Sequence, residues 1–227
     1  MTGFQLTRRA FFAGILASPI VIAGTGCTPA AWSILLNPSG EIPATYPLTP
    51  LKNHSEKDVR VVIMANQGAG LSWEYASVDR ELSSQMSKIL AEGTKSDKHP
   101  VKIIRPEDVE KFKSQNPNWK LTHPSRIAQQ LNADYVIDIS ITGINLYQPN
   151  SANAIYQGWA TVDVTVYESG YDTSRYNYFH KAELHPSASD SMPPGQYKAS
   201  LIRQLATELA SRHMKHTEDS RVAPIDK

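Results

Sequence analysis

The chain has a single cysteine, Cys27, in 227 residues. One thiol cannot pair within its own chain, so no internal disulfide supports the fold and the apolar core must do so alone. Charge of either sign is also lacking in excess: 23 Lys and Arg face 22 Asp and Glu, for a formal charge of +1. With no basic cluster, nucleic acid is excluded as the expected partner. Beyond the first 26 residues no apolar run approaches membrane length, so no second span is expected. No repeat of 20 to 50 residues is visible. Signatures of chemistry are equally scarce. No His-Glu-x-x-His string and no Gly-x-Ser-x-Gly elbow occurs. Gly68-Ala-Gly70 is not followed by Lys-Ser/Thr, and the next helix pattern starts several residues later, so a turn is expected there rather than a phosphate loop.

What is present begins with the N-terminus. Arg8 and Arg9 precede a run of apolar and small residues from 10 to 23, and Gly24-Thr25-Gly26-Cys27 follows. The run is too short, and too interrupted by Gly14 and Pro19, for a transmembrane helix, so residues 1–26 are expected to be a signal peptide. The Arg8-Arg9 pair suits a twin-arginine export signal, and an ordinary secretory signal with two arginines stands beside it. Gly26-Cys27 fits the junction at which bacterial lipoproteins are cleaved and acylated on the cysteine. Gly24 departs from the large apolar residue usual at that place, and cleavage near Thr28-Pro29-Ala30 is the competing reading. Lipidation at Cys27 is the expectation, with the protein exported and held at the periplasmic side of a bacterial membrane. Losing Arg8 and Arg9 with the leader would turn the formal charge to −1.

Residues 27–57, rich in proline (Pro29, Pro38, Pro43, Pro47 and Pro50), read as the lipidated end and a linker. Trp32, Ile34, Leu35 and Leu36 offer it apolar groups that would pack on the domain and shorten the tether. Residues 58–216 read as one globular domain, and 217–227 as a flexible tail. Val59 to Ala65 is a near-continuous apolar strand of the kind buried on both faces. A helix follows from Val78, its stripe being Val78, Leu82, Met86 and Ile89, with Ser77 as its cap. Val101 to Ile104 is a short strand, and Pro106 and Pro124 each open a helix. Asp134–Tyr147, Gly158–Glu168 and Arg175–Leu184 alternate as antiparallel hairpin strands, with Asp138, Ser140, Asp163 and Thr165 opposite the aliphatic set. A last helix carries Leu201, Ile202, Leu205 and Leu209 on its inner stripe. The order β-α-β-α-α-β-β-β-α predicts an α+β two-layer sandwich, a mixed sheet with helices packed on one face.

The string from Ile127 to Ile137 (IAQQLNADYVI), the strand from Val59 with its Asn66/Gly68 turn, and the Val101–Pro106 unit resemble the α/β domain shared by the N-terminal domain of TolB, the curli-secretion lipoprotein CsgG and the penicillin-binding-protein activator LpoB. Asp138-Ile-Ser140 stands where that family carries a glycine, and Trp73 to Tyr75 lies outside the shared pattern. The resemblance implies a non-enzymatic envelope protein that binds another cell-envelope or secretion component. Pore formation is not carried over, since the hairpin around Asn150 to Asn153 is polar and lacks a lipid-facing band.

The candidate partner-binding residues are the aromatic set Trp73, Tyr75, Tyr147, Tyr156, Trp159 and Tyr167, because Trp and Tyr are enriched where partners bind most tightly. Trp159 and Tyr167 are out of phase with the valines and are expected on the sheet face away from the main core, open or covered by the linker. No catalytic residue, metal ligand or cofactor is assigned. Two other classes stay in view. A periplasmic hydrolase would use Asp138, Asp163 or the histidines and needs them to converge on one pocket. A homo-oligomeric envelope assembly subunit would need a self-complementary surface. For a metal, His213 and His216 make half a site on one helical face, and His180 and His185 lie near the third hairpin strand.

Overall fold

The computed structural model describes residues 40–51, 58–68, 71–185, 187–188 and 191–217; at Trp73 and at 187–188 only the backbone is described. Arg8, Arg9 and Cys27 lie outside the described residues, as do the signal peptide and the segment around Trp32.

The strands are β1 (Val59–Gln67), β2 (Val101–Ile103), β3 (Tyr135–Tyr147), β4 (Ile155–Glu168), β5 (Ser174–Glu183) and the two-residue β6 (Ser187–Ala188). They form one sheet in the order β2-β1-β3-β4-β5, and β6 pairs the start of β4. β1 runs parallel to β2 and β3, while β3–β4 and β4–β5 are antiparallel, so the sheet is mixed. The helices are α1 (Val78–Gly93), α2 (Pro106–Gln115), α3 (Pro124–Gln130) and α4 (Pro194–Ser211). The α+β class and the order of elements are those the periodicity predicts, with β6 added.

The long helices α1 and α4 lie together on one face. Val78, Leu82, Met86 and Leu90 of α1 and Leu201, Leu205 and Leu209 of α4 share a buried cluster with Val61, Ile63, Ile137, Ile139, Val162 and Val164. Each such side chain contributes about 1.5–3 kcal/mol on leaving water, which is what holds a sheet without disulfides. The short helices α2 and α3 add to the two-layer plan. Val109 of α2 and Ile127 and Ala128 of α3 pack in a second cluster with Val62, Met64 and Val136, the alternate residues of β1 and β3. This explains the unbroken apolar run of β1: its neighbouring residues serve opposite faces, and both are covered.

Local chemistry sets the junctions. Ser77 takes helical angles and makes no side-chain cap; its hydroxyl instead donates to Glu81 Oε1 at 2.5 Å. Asn132 adopts a left-handed φ of 50° after α3. From there Asp134 enters β3, where its Oδ2 accepts from the Arg60 amide at 2.7 Å and its own amide donates to Arg60 O at 2.8 Å. The Ala-Asp-Tyr motif is thus the clamp that starts the β1–β3 pairing.

Residues 40–51, within the stretch expected to be linker, form a strap along the start of β3 and β5 and the end of α4. Ile42 and His216 exchange two backbone hydrogen bonds (2.7 and 3.1 Å), and the Tyr46 amide donates to Arg212 O at 2.7 Å. The Tyr46 ring stacks on Tyr178, centroids 4.5 Å apart. Further along, the Tyr176 and Tyr135 hydroxyls donate to Pro47 O and Thr49 O.

Candidate interaction surface

The open region of the molecule follows from the packing. α1 and α4 occupy one face of the sheet, and among the described residues α2 and α3 cover the β1–β3 part of the other and reach β4 only at its Tyr167 end. The remaining face of β3–β4–β5 therefore presents the alternate residues: Asp138 and Ser140 from β3, Trp159, Thr161, Asp163, Thr165 and Tyr167 from β4, and Asn177, Phe179 and Lys181 from β5. In the register these lie in rows, with Asp163 between Ser140 and Phe179, and Thr165 between Asp138 and Asn177. Phe179 is 60% exposed at the middle of this face.

Of the six aromatic residues singled out in the sequence, the five whose side chains are described divide between the open face and the core. Trp159 and Tyr167 are on the open face, half-buried, as their phase requires. Trp159 lies across β3: a Cβ added to Gly143 would sit 2.8 Å from Trp159 Cζ3, so glycine there makes the bed for the indole. Tyr167 meets the His123 ring edge-on, 4.9 Å between centroids, which fixes it against the start of α3. The other placements correct the expectation. Tyr75 and Tyr156 are buried in the main core at 5% and 0% exposure, and Tyr147 packs against that core. Tyr156 is stacked between Tyr147 (5.2 Å) and Tyr197 (4.2 Å). Tyr156 is in phase with Ala160 and Val162, so alternation alone turns it inward, and the register shift between Asn145 and Tyr147 turns Tyr147 to the same side. Burial raises the Tyr75 hydroxyl to about 12, with the neighbouring Glu74 adding to it. These three therefore serve the core, and the Trp73 side chain lies outside the described residues. Phe179, which the sequence reading did not single out, is the most exposed aromatic of the open face; its signal was an odd position in β5, in phase with Asn177 and Lys181.

The polar part of the face is organised at its β1 side. Asn66 Nδ2 donates to Asp138 Oδ1 at 3.2 Å. Burial raises the Asp138 carboxyl above its ordinary range, opposed by the Asn66 hydrogen bond and by Lys113. Lys113 is held by Glu110 at 2.8 Å and lies 5.0 Å from the Trp119 ring centroid. Asp163 is a diagonal neighbour of Asp138 across β3–β4 and is exposed.

The histidines lie elsewhere. His180 pairs with Val162 in the register and so faces α4, where its Nε2 meets Glu208 Oε2 at 2.6 Å. His213 is buried, its Nδ1 donating to Tyr46 O at 2.9 Å and its Nε2 accepting from the Tyr178 hydroxyl at 3.0 Å. The two aspartates and these two histidines are thus on opposite faces of the sheet, and the single pocket that a hydrolase would need is not formed from them. His213 and His216, taken as half a metal site, are committed to protein contacts, and among the described residues no group of three or more ligands gathers. None of the described helices is long and apolar enough to cross a membrane.

No protein-family model matches the sequence, and no curated protein matches it. Among solved structures, lipoprotein GNA1162 from Neisseria meningitidis is 13% identical, with 68% of this chain and 99% of that chain covered and a TM-score of 0.41. The PelC dodecamer from Paraburkholderia phytofirmans is 13% identical over 70% of this chain and 89% of that one, at 0.40. The hypothetical protein CT253 from Chlamydia trachomatis is 19% identical over 69% and 97%, at 0.38. These are likenesses of general arrangement, and the functional reading rests on this chain's own residues.

Proposed function

We propose that the chain is a non-enzymatic, exported lipoprotein. In this reading a lipid on Cys27 holds it at the periplasmic side of a bacterial membrane, after a signal peptide spanning residues 1–26. The domain, of the kind shared by the TolB N-terminal domain, CsgG and LpoB, then binds another envelope or secretion component. The observation that carries the reading is the face of β3–β4–β5 left open among the described residues, where Phe179 is 60% exposed and the half-buried Trp159 and Tyr167 lie four residues along β4 on either side of its partner Asp163. Three aromatic residues spaced among Thr, Asn and Asp give the mixed apolar and polar composition of a partner-binding surface.

The test is a photo-crosslinking residue at position 163, in the middle of the face, compared with one at position 196 on the outer side of α4. One adduct of defined mass at 163 and none at 196 is expected in intact cells, and Trp159→Ala should weaken it by roughly thirtyfold, the size of one strong contact. Equal adducts at both positions would overturn the docking face. Membrane fractionation of wild type beside Cys27→Ser tests the lipid separately: the variant should lose the acyl mass and leave the membrane.

A further inference from the structure

We propose that β5 is the seat of a symmetric dimer, formed by antiparallel pairing of two copies of β5 about a two-fold axis at Phe179. The inference does not depend on the identity of any other partner.

The backbone geometry leads to it. Leu184 N donates to Gly158 O at 2.8 Å. In the register that continues from there, Ala182–Ala160, His180–Val162, Tyr178–Val164 and Tyr176–Val166 are partners. Hydrogen-bonded and non-hydrogen-bonded pairs alternate in an antiparallel ladder, so the even residues of β5 hold β4. The N–H and C=O groups of Asn177, Phe179 and Lys181 consequently point out of the sheet, and among the described residues none takes them up. An edge strand with free groups is a template for another strand, and natural proteins blunt such edges. Among the described residues the backbone of this one is blocked at its two ends, and between them Lys181 is the one charged side chain on the open face. At one end the register shifts between Val166 and Tyr167, which leaves Arg175 as the extra residue of a bulge. At the other, Gln204 Nε2 donates to Glu183 O at 3.0 Å.

The bulge at 175 and the capped carbonyl at 183 lie four residues on either side of Phe179. The open window is therefore symmetric about that residue. A strand from a different protein has no need of such symmetry; two copies of the same strand do. Pairing about Phe179 sets the free groups of Phe179 against themselves and those of Asn177 against Lys181 of the other copy. No like charges are opposed across the axis, since Lys181 meets an uncharged Asn177, and its ammonium is already balanced by Glu183 of its own strand. The exposed Phe179 rings meet side by side on the open face. The two sheets become one, with both uncovered faces on the same side.

The test uses the purified full chain carrying Cys27→Ser, so that a new thiol is the only one. In a hydrogen-bonded antiparallel pair the Cα atoms are about 5.5 Å apart, within disulfide reach. Phe179→Cys should cross-link to a covalent dimer under mild oxidation, and Asp163→Cys, two strands from the axis, should not. Sedimentation of the uncross-linked chain should show a dimer that dissociates on dilution. Phe179→Pro, which removes an outward-pointing N–H at a position where an edge strand tolerates proline, should leave the melting transition in place and the chain monomeric. A monomer at every concentration, cross-linking at 163 as fast as at 179, or a dimer that survives Phe179→Pro would each overturn the proposal.

Discussion

His213 carries the clearest single-residue consequence. Burial lowers its pKa to about 4, and the Arg212 charge works the same way while the hydrogen bond to Tyr46 O works against them. Tyr46 from the strap, Tyr178 from β5 and Arg212 beside it are the groups that face the ring. A histidine whose folded pKa lies below its unfolded value of about 6.5 binds fewer protons folded than unfolded between those limits, so stability falls as pH drops through that window and levels off below it. The gap is worth about 3 kcal/mol at its full extent. Thermal melts from pH 7 to pH 4 should show this decline, and His213→Gln should flatten it. Asp138, raised by burial, takes up its proton more readily when folded and opposes part of the trend. Gly158 makes a second point at this scale. A Cβ there would lie 2.8 Å from Tyr197 Cε1, and Tyr197 is fixed by its stack on Tyr156, so Gly158→Ala should cost about 1–3 kcal/mol, read as a lower denaturant midpoint. At this scale the sequence was partly legible. Asp138 and Asp163 sit on one face because a strand's alternation admits no other result. The roles of Asp134 and His213 depend on residues 74 and 167 positions away, Arg60 and Tyr46, and no local pattern announces those partners.

Among the elements, the strap departs most from what composition suggests. Prolines at 43, 47 and 50 argue for an extended, unpaired segment. Extended it is, but each proline leaves its carbonyl free to accept, and Pro47 O takes the Tyr176 hydroxyl at 3.1 Å. Leu48 is buried at 8% exposure and Tyr46 supplies the stacked ring. Tyr46→Ala should therefore cost about 2 kcal/mol, roughly 4–8 °C in Tm for a chain of this size. An unchanged Tm would mean that the strap contributes nothing to the fold. Helices and strands themselves were legible, because α1 and α4 have a 3.6-residue stripe and β3 and β4 a period of two. The register shift at Tyr147 was not: it reverses the phase of β3 there, and this is why Tyr147 turns inward beside Tyr156, which alternation alone already buries. β6, two residues long, is too short to carry a period.

At the scale of the whole molecule, the sheet is unequally clothed. Its β1–β3 part is covered on both sides and, among the described residues, its β4–β5 side on one, and the run lengths already encode this: β1 is apolar without interruption, whereas β4 alternates valine with Thr, Asp and Tyr. What the pattern could not state is which aromatic residues stay outside, since that depends on where the short helices α2 and α3 end. A prediction belongs here. Thr165→Arg, a bulky charge in the middle of the open face, should leave Tm within about 1 °C, because Thr165 is only half-buried and lies outside both apolar clusters. It should abolish the photo-crosslinked adduct at position 163, and retention of that adduct would show that the face is not where the partner sits.

Among the described residues, tension applied along the strap from Ile42 onward meets the domain first at Ile42 and His216, where two backbone hydrogen bonds join it to the chain just past α4. The load then passes into the last turn of that helix, through Tyr46 and Arg212, before any of it can reach β1. A tug on the strap is in this way borne by the far end of the domain, and β1 stays out of the line of pull until the strap has peeled away.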